Sequence, residues 1–185
     1  MSDIAVVHAK GIPPELPIII DVEASGFGRG SYPIEVGFAL ADGSTHCALV
    51  RPESDWNHWC GEAAAMHGIT RDILMQRGKP AAEIAHWLNQ HLRGADVFSD
   101  AWAHDLSWLG KLFEAAEMTP LFNLRALQTL LNEWQLRCWT ALRDEVVRDL
   151  CIERHRASSD ARIIQATYAR SLTIPQMNPD VQIGL

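Results

Sequence analysis

Two carboxylates one residue apart, Asp21 and Glu23, flank Val22 at the end of an apolar run through Leu16, Ile18, Ile19 and Ile20. In an extended strand, residues two apart project from the same face, and ionised side chains inside a buried strand are costly unless their charge is matched. Two carboxylates on one face repel unless a cation sits between them, and such oxygen donors suit a hard divalent ion, Mg²⁺ or Mn²⁺. A frayed strand end, with both acids solvated, accounts for the pair equally well. The segment Ala24-Ser25-Gly26-Phe27-Gly28 comes next. Its glycines permit a tight turn where backbone can approach a ligand, and a turn with nothing bound fits them too. Near the C-terminus, His155 and Asp160 stand five residues apart. An aspartate in a helix's first turn is explained by the macrodipole alone. In combination, however, a histidine that titrates near neutral pH could deprotonate water beside a metal-held carboxylate cluster.

These residues need a scaffold. Residues 16–22 read as a strand buried on both faces in mid-sheet. Residues 33–40 and 45–50 are β-rich and separated by Ala41-Asp42-Gly43-Ser44, whose Asp-Gly signals a hairpin, so three strands form an antiparallel meander. After a Trp-rich loop, Ile84, Trp87, Leu88 and Leu92 give residues 80–92 the spacing of an amphipathic helix. Residues 95–99 read as a fourth, parallel strand, 104–116 as a helix, and the stretch near 121–124 as a further strand. Helices are expected over 124–137, 140–150 and 158–172, with an irregular tail after them. This pattern is an α/β layered sheet with helices on its faces, organised as a lead (1–15), one domain (16–172) and a tail (173–185).

Composition narrows the function classes. A chain of 185 residues, 48% hydrophobic, can bury one sizeable core. Its net charge of −7 argues against a protein that coats nucleic acid nonspecifically, since that needs many cations on phosphates. The charge does not exclude an enzyme that grips a few terminal nucleotides, because bound metal ions supply local positive charge. Cys47, Cys60, Cys138 and Cys151 form no CxxC pair and are expected to be buried, reduced thiols. With no signal-peptide pattern and no membrane-length apolar run, a cytoplasmic location is the default and no membrane partner is expected.

Asp21-Val22-Glu23-Ala24-Ser25-Gly26, together with His155-x4-Asp160, resembles the DxExxG and HxxxxD motifs of the DEDDh 3′-to-5′ exonucleases. Ile34-Glu35-Val36-Gly37 looks like that family's second strand, and Met66-His67-Gly68-Ile69-Thr70 like its HGI segment. The family's middle aspartate begins a helix; Asp105 fits that position best, since Trp108 and Leu109 match the aromatic and aliphatic positions after it, and Asp100 is the fallback. The resemblance spans residues 18–172. It implies an RNase H-like three-layer fold with a mixed five-stranded sheet. It also implies two Mg²⁺ or Mn²⁺ ions held by Asp21, Glu23, Asp105 and Asp160, with His155 as general base. The reaction implied is hydrolysis at the 3′ end of single-stranded nucleic acid, RNA or short oligonucleotides slightly ahead of DNA, releasing nucleoside 5′-monophosphates. Ala24, Ser25, Gly26, Phe27 and Trp102 are the implied substrate contacts, with Phe27 as a wedge against the terminal base, although a cover for the sheet edge accounts for Phe27 equally well. A homodimer is compatible with the family.

Trp56 and Trp59, in a polar loop, are better base-stacking candidates than Trp108, whose helical spacing favours core packing. His67 and His104 read as turn or capping histidines. The arginines of the C-terminal third interleave with acids and read as a solvated helical face. A binding or assembly module on the same fold, without turnover, is the alternative from another class. An endonuclease of the wider RNase H-like class is disfavoured by the C-terminal histidine motif.

Overall fold

The structure, a computed structural model, describes residues 15–152 and 154–173. Nearly all of the expected lead and tail therefore lies outside the described residues. Strand β1 (Ile18–Ala24) pairs antiparallel with β2 (Pro33–Ala39), and β2 with β3 (Thr45–Leu49), the meander that the Asp-Gly turn predicts. After α1 (Gly61–His67), α2 (Arg71–Arg77) and α3 (Ala81–Leu92), the chain returns as β4 (Asp96–Ser99), parallel to β1. Helix α4 (Trp102–Ala115) then leads to β5 (Asn123–Ala126), parallel to β4, and to α5 (Glu133–Leu150) and α6 (Ala157–Thr173). The five strands lie in the order β3-β2-β1-β4-β5, so β1 is central.

Because the strands alternate, one face of β1 and β2 presents Ile20, Val22, Ile34, Val36 and Phe38 to a core completed by Ile84, Leu88, Leu109 and Leu112 of α3 and α4. The opposite face presents Ile19 and Ala39, which pack with Phe98, Leu127, Ala161 and Ile164 under α6. Apolar burial on both faces makes this sheet the middle layer of three. Asp21 and Glu23 continue the Ile19 side, so they point toward α6.

Four expectations need correction. Residues 124–137 are not one helix: 123–126 complete the sheet, a 3₁₀ turn comes next, and α5 starts where Asn132 and Gln135 form a reciprocal capping box. No break separates 137 from 140, because an amphipathic face continues through Cys138 and Trp139. The Trp-rich loop contains two short helices, α1 and α2, the second capped by Thr70, whose side chain accepts from the Ile73 amide. Cys47 and Cys151 are exposed and Cys60 and Cys138 partly buried, all four as free thiols.

Candidate active site

Strand β1 is in register with β4 only at Ile18 and Ile19, so Asp21 to Ala24 run past the end of β4 while β2 still flanks them. The chain reverses to either side of β1 here, the position where open α/β sheets form a crevice. Helix α4 begins over that gap. Asp105, in its first turn, is 1% exposed and accepts a hydrogen bond from the Ser99 hydroxyl at the end of β4. A second bond from the backbone at Val22 ties it to β1.

The other side of the site is built by the approach of α6. Gly37 lies directly opposite Asp21, and a Cβ there would sit 2.2 Å from the Ser158 amide nitrogen. Only a glycine lets the start of α6 come so near the sheet. Glu35, opposite Glu23 and 1% exposed, fastens it. Its carboxylate takes both Nε (3.1 Å) and Nη2 (2.6 Å) of Arg156 and accepts from the Ala157 amide at 2.9 Å. His155 precedes this clamp with φ 62°, a conformation uncommon for a residue with a Cβ, and its amide donates to Asp160 Oδ2 at 3.0 Å. One ligand atom each of Glu23, His155 and Asp160 then lies within 4.8 Å of the others.

Crowding of these acids shows in their proton affinities. Burial pushes Asp21 well above the usual carboxylate range, and the charges of Asp105, Glu23, Asp160 and Asp100 add to the effect. Glu23 is raised to about 7 by burial and by Asp160 and Glu35, against the pull of Arg156. Asp105 is also raised to about 7, by burial first, while the Ser99 hydroxyl opposes the rise and Asp100 and Glu23 add to it. Among the described residues Asp160 Oδ1 is buried without a hydrogen-bond partner, a state rare for a carboxylate oxygen unless something else binds it. Clustered carboxylate oxygens beside one imidazole, one of them orphaned, are a donor set that fits hard divalent cations.

The resulting cleft, about 190 Å³, is lined by Asp21, Glu23, Asp105, His155 and Asp160. Ala24, Gly26, Phe27, Ala63 and Met66 line it too, and Phe27 (63% exposed) and Met66 (50%) leave apolar side chains open to solvent. Gly26 turns the chain at φ 155°, against His58 and Cys60.

Other expected residues lie elsewhere. Asp100 is turned to Arg143 at 3.1 Å and does not line the cleft. Ser25 is buried and holds the loop after β1, its hydroxyl accepting from the Tyr32 amide at 3.1 Å. Trp102 donates to the Leu124 carbonyl over a separate groove. Trp56 stacks on Tyr32 in the core, so the polarity of its loop misleads, and Trp59 sits edge-on to His67. Trp108 packs in the core, as its spacing suggests: it is 8% exposed, donates to the Ser31 hydroxyl, and one part of it lines the cleft. His67 and His104, set aside on sequence grounds, also line it. The Glu35–Arg156 clamp goes unread in sequence, where only the pairing of an acidic β2 residue with the residue after His155 could have hinted at it.

No protein-family model and no curated protein matches the chain. Solved structures do. E. coli exonuclease I in complex with a dT13 oligonucleotide superposes with a TM-score of 0.64 at 15% identity, over 84% of this chain and 40% of that one. Exonuclease I from Methylocaldum szegediense gives 0.61 at 17% identity, over 82% and 39%. The zinc-bound E. coli exonuclease I–ssDNA complex gives 0.59 at 15%, over 84% and 38%. The chain thus spans about two fifths of the length of these neighbours, and it shares their fold over that stretch.

Proposed function

We propose that this protein is a metal-dependent 3′-to-5′ exonuclease acting on single-stranded nucleic acid. The observation that carries the reading is the meeting of Asp21, Glu23, Asp105, Asp160 and His155 in one cleft at the open end of the central strand. Asp21, Glu23, Asp105 and Asp160 would hold two Mg²⁺ or Mn²⁺ ions, whose charge would stabilise the attacking and leaving oxygens of an in-line displacement. His155 takes a proton from the water that attacks phosphorus, a contribution typically worth about 10²–10⁴-fold. Bond cleavage on the 3′ oxygen of the penultimate nucleotide releases a nucleoside 5′-monophosphate and a new 3′ hydroxyl. Phe27 and Met66 offer apolar surface to the terminal base, which suits an unpaired end because any base can stack. Among the described residues no helix is long and apolar enough to cross a membrane.

RNA or short oligonucleotides remain the first expectation for the polymer. The exonuclease I complex with dT13 makes single-stranded DNA the direct competitor. A time course on 5′-labelled RNA and DNA with Mg²⁺ or Mn²⁺, beside EDTA, Asp21→Ala and His155→Ala controls, tests the reading. Expected is a metal-dependent ladder shortening from the 3′ end and lost in both variants. Folded wild type that leaves both polymers intact with either metal would overturn it.

A further inference from the structure

His67 closes α1 with its imidazole turned inward, 7% exposed, and Trp59 packed edge-on against it. Nδ1 accepts from the Ile69 amide at 3.0 Å. In a neutral ring this fixes the proton on Nε2. That N–H is buried and, among the described residues, has no hydrogen-bond partner, although buried donors are nearly always satisfied. His67 lines the cleft beside Ala63, Met66 and Glu23, near enough to Glu35, His155 and Arg156 to feel their charges. The turn after α1 uses only Nδ1, a task an asparagine side chain also performs. The second nitrogen is thus a donor held in place with no acceptor among the described residues.

We propose that His67 Nε2–H is a substrate contact, donating to an oxygen of the 3′-terminal nucleotide's sugar–phosphate. The inference rests on the exonuclease reading above. The carboxylates, the apolar side chains of Phe27 and Met66, and His67 next to Met66 on α1 all line one cleft. A nucleotide whose phosphate meets the carboxylate-held cations and whose base meets the apolar side chains therefore brings its sugar and phosphate oxygens into the cleft that His67 lines. Two sources share this chemistry: the terminal hydroxyl and a non-bridging phosphate oxygen.

Each of two variants keeps one half of the ring's function. His67→Asn retains the acceptor for Ile69 and removes the cleft donor, whereas His67→Gln places an amide N–H near the Nε2 position. Steady-state kinetics are measured on single-stranded oligonucleotides ending in a 3′-hydroxyl or a 3′-deoxy sugar. Binding of the same oligonucleotides is measured by fluorescence anisotropy with Ca²⁺ in place of Mg²⁺. Loss of one neutral hydrogen bond to substrate predicts a kcat/KM lower by about tenfold in His67→Asn, mostly through KM, at unchanged Tm. Binding weakens in parallel, and His67→Gln stays within about threefold of wild type. A penalty that disappears on the 3′-deoxy end assigns the contact to the hydroxyl; an equal penalty on both ends assigns it to the phosphate. The proposal is overturned if His67→Asn matches wild type in kinetics and binding, the pattern that marks the Ile69 bond as the only role, or if both variants fall together, which would mark the packing of the ring rather than its Nε2–H. Wild type that shortens nothing would instead sink the exonuclease reading itself, a result distinct from active wild type with an indifferent His67→Asn.

Discussion

Replacing Glu23 by Gln should stabilise the cation-free protein while abolishing its activity. The Glu23 carboxyl is raised from 4.5 to about 7 in the fold, by burial first and then by Asp160 and Glu35. A group whose native pKa lies above its unfolded value binds protons more tightly when folded. Its contribution is therefore full below pH 4.5 and is lost as pH rises through about 7. Above that window the native state carries an unwelcome charge that Gln removes. At about 1.4 kcal/mol per pK unit, the shift corresponds to roughly 3 kcal/mol, and solvent access to a side chain that is not fully buried reduces this to about 1–3 kcal/mol. For a chain of this size that is about 3–10 °C in Tm. Thermal melts of EDTA-treated wild type and Glu23→Gln, run from pH 4 to pH 9, should coincide at the acid end and separate in favour of the variant above neutrality. Millimolar Mn²⁺ at pH 8 should raise the wild-type Tm by ligand linkage and move the variant much less. A variant no more stable than wild type at pH 8, or a gap that is widest at pH 4, would refute the electrostatic account of the site.

Glu35→Gln should act in the opposite sense, because it removes the buried charge that holds Arg156; with the Arg156 side chain 39% exposed, solvent screens the guanidinium and the cost is about 1–2 kcal/mol. Its Tm should fall at neutral pH, and kcat should drop by more than tenfold as the His155 turn loosens. Gly37→Ala drives a methyl into the backbone of Ser158; it should keep its far-UV CD spectrum yet lose at least tenfold in kcat/KM, checked in the same oligonucleotide assay. Asp105→Asn should abolish turnover and lower Mn²⁺ affinity by calorimetry. Asp100→Asn, which removes the partner of Arg143 outside the cleft, should leave measurable cleavage. Equal loss in both would return Asp100 to the candidate ligands.

The meander, the parallel return strand and the helix bearing Asp105 were legible because their signals are local: an Asp-Gly turn, a continuous apolar run, apolar residues at helical spacing. Local signals failed where long-range pairing decided the structure. Residues 124–126 carry helix-tolerant side chains, yet the free edge of β4 captures them as β5. Trp56 sits among polar residues and reads as exposed until Tyr32 and the Arg71 guanidinium are brought to it by the fold. At the site, the spacing of Asp21, Glu23, His155 and Asp160 was readable as chemistry. The facing of Glu35 to Glu23 and of Gly37 to Asp21 belongs to register, which no single segment encodes.

That register gives neighbouring glutamates opposite electrostatic situations. Glu23 and Glu35 face each other across β1 and β2, and only Glu35 is answered within the chain, by a guanidinium and a backbone amide. Its carboxylate is therefore a structural tie between β2 and the start of α6. Glu23 feels that charge as repulsion, together with that of Asp160, and the weaker pull of Arg156 does not offset the two. The fold thus places a satisfied acid beside an unsatisfied one and draws the His155 turn over both. In a core selected for stability alone, an apolar pair at 23 and 35 would be the simpler solution. Carboxylates left in want of positive charge, beside an orphaned Asp160 oxygen, make sense where the missing charge arrives from solution, which is what the proposed exonuclease reaction on a polyanion would require of an acidic protein.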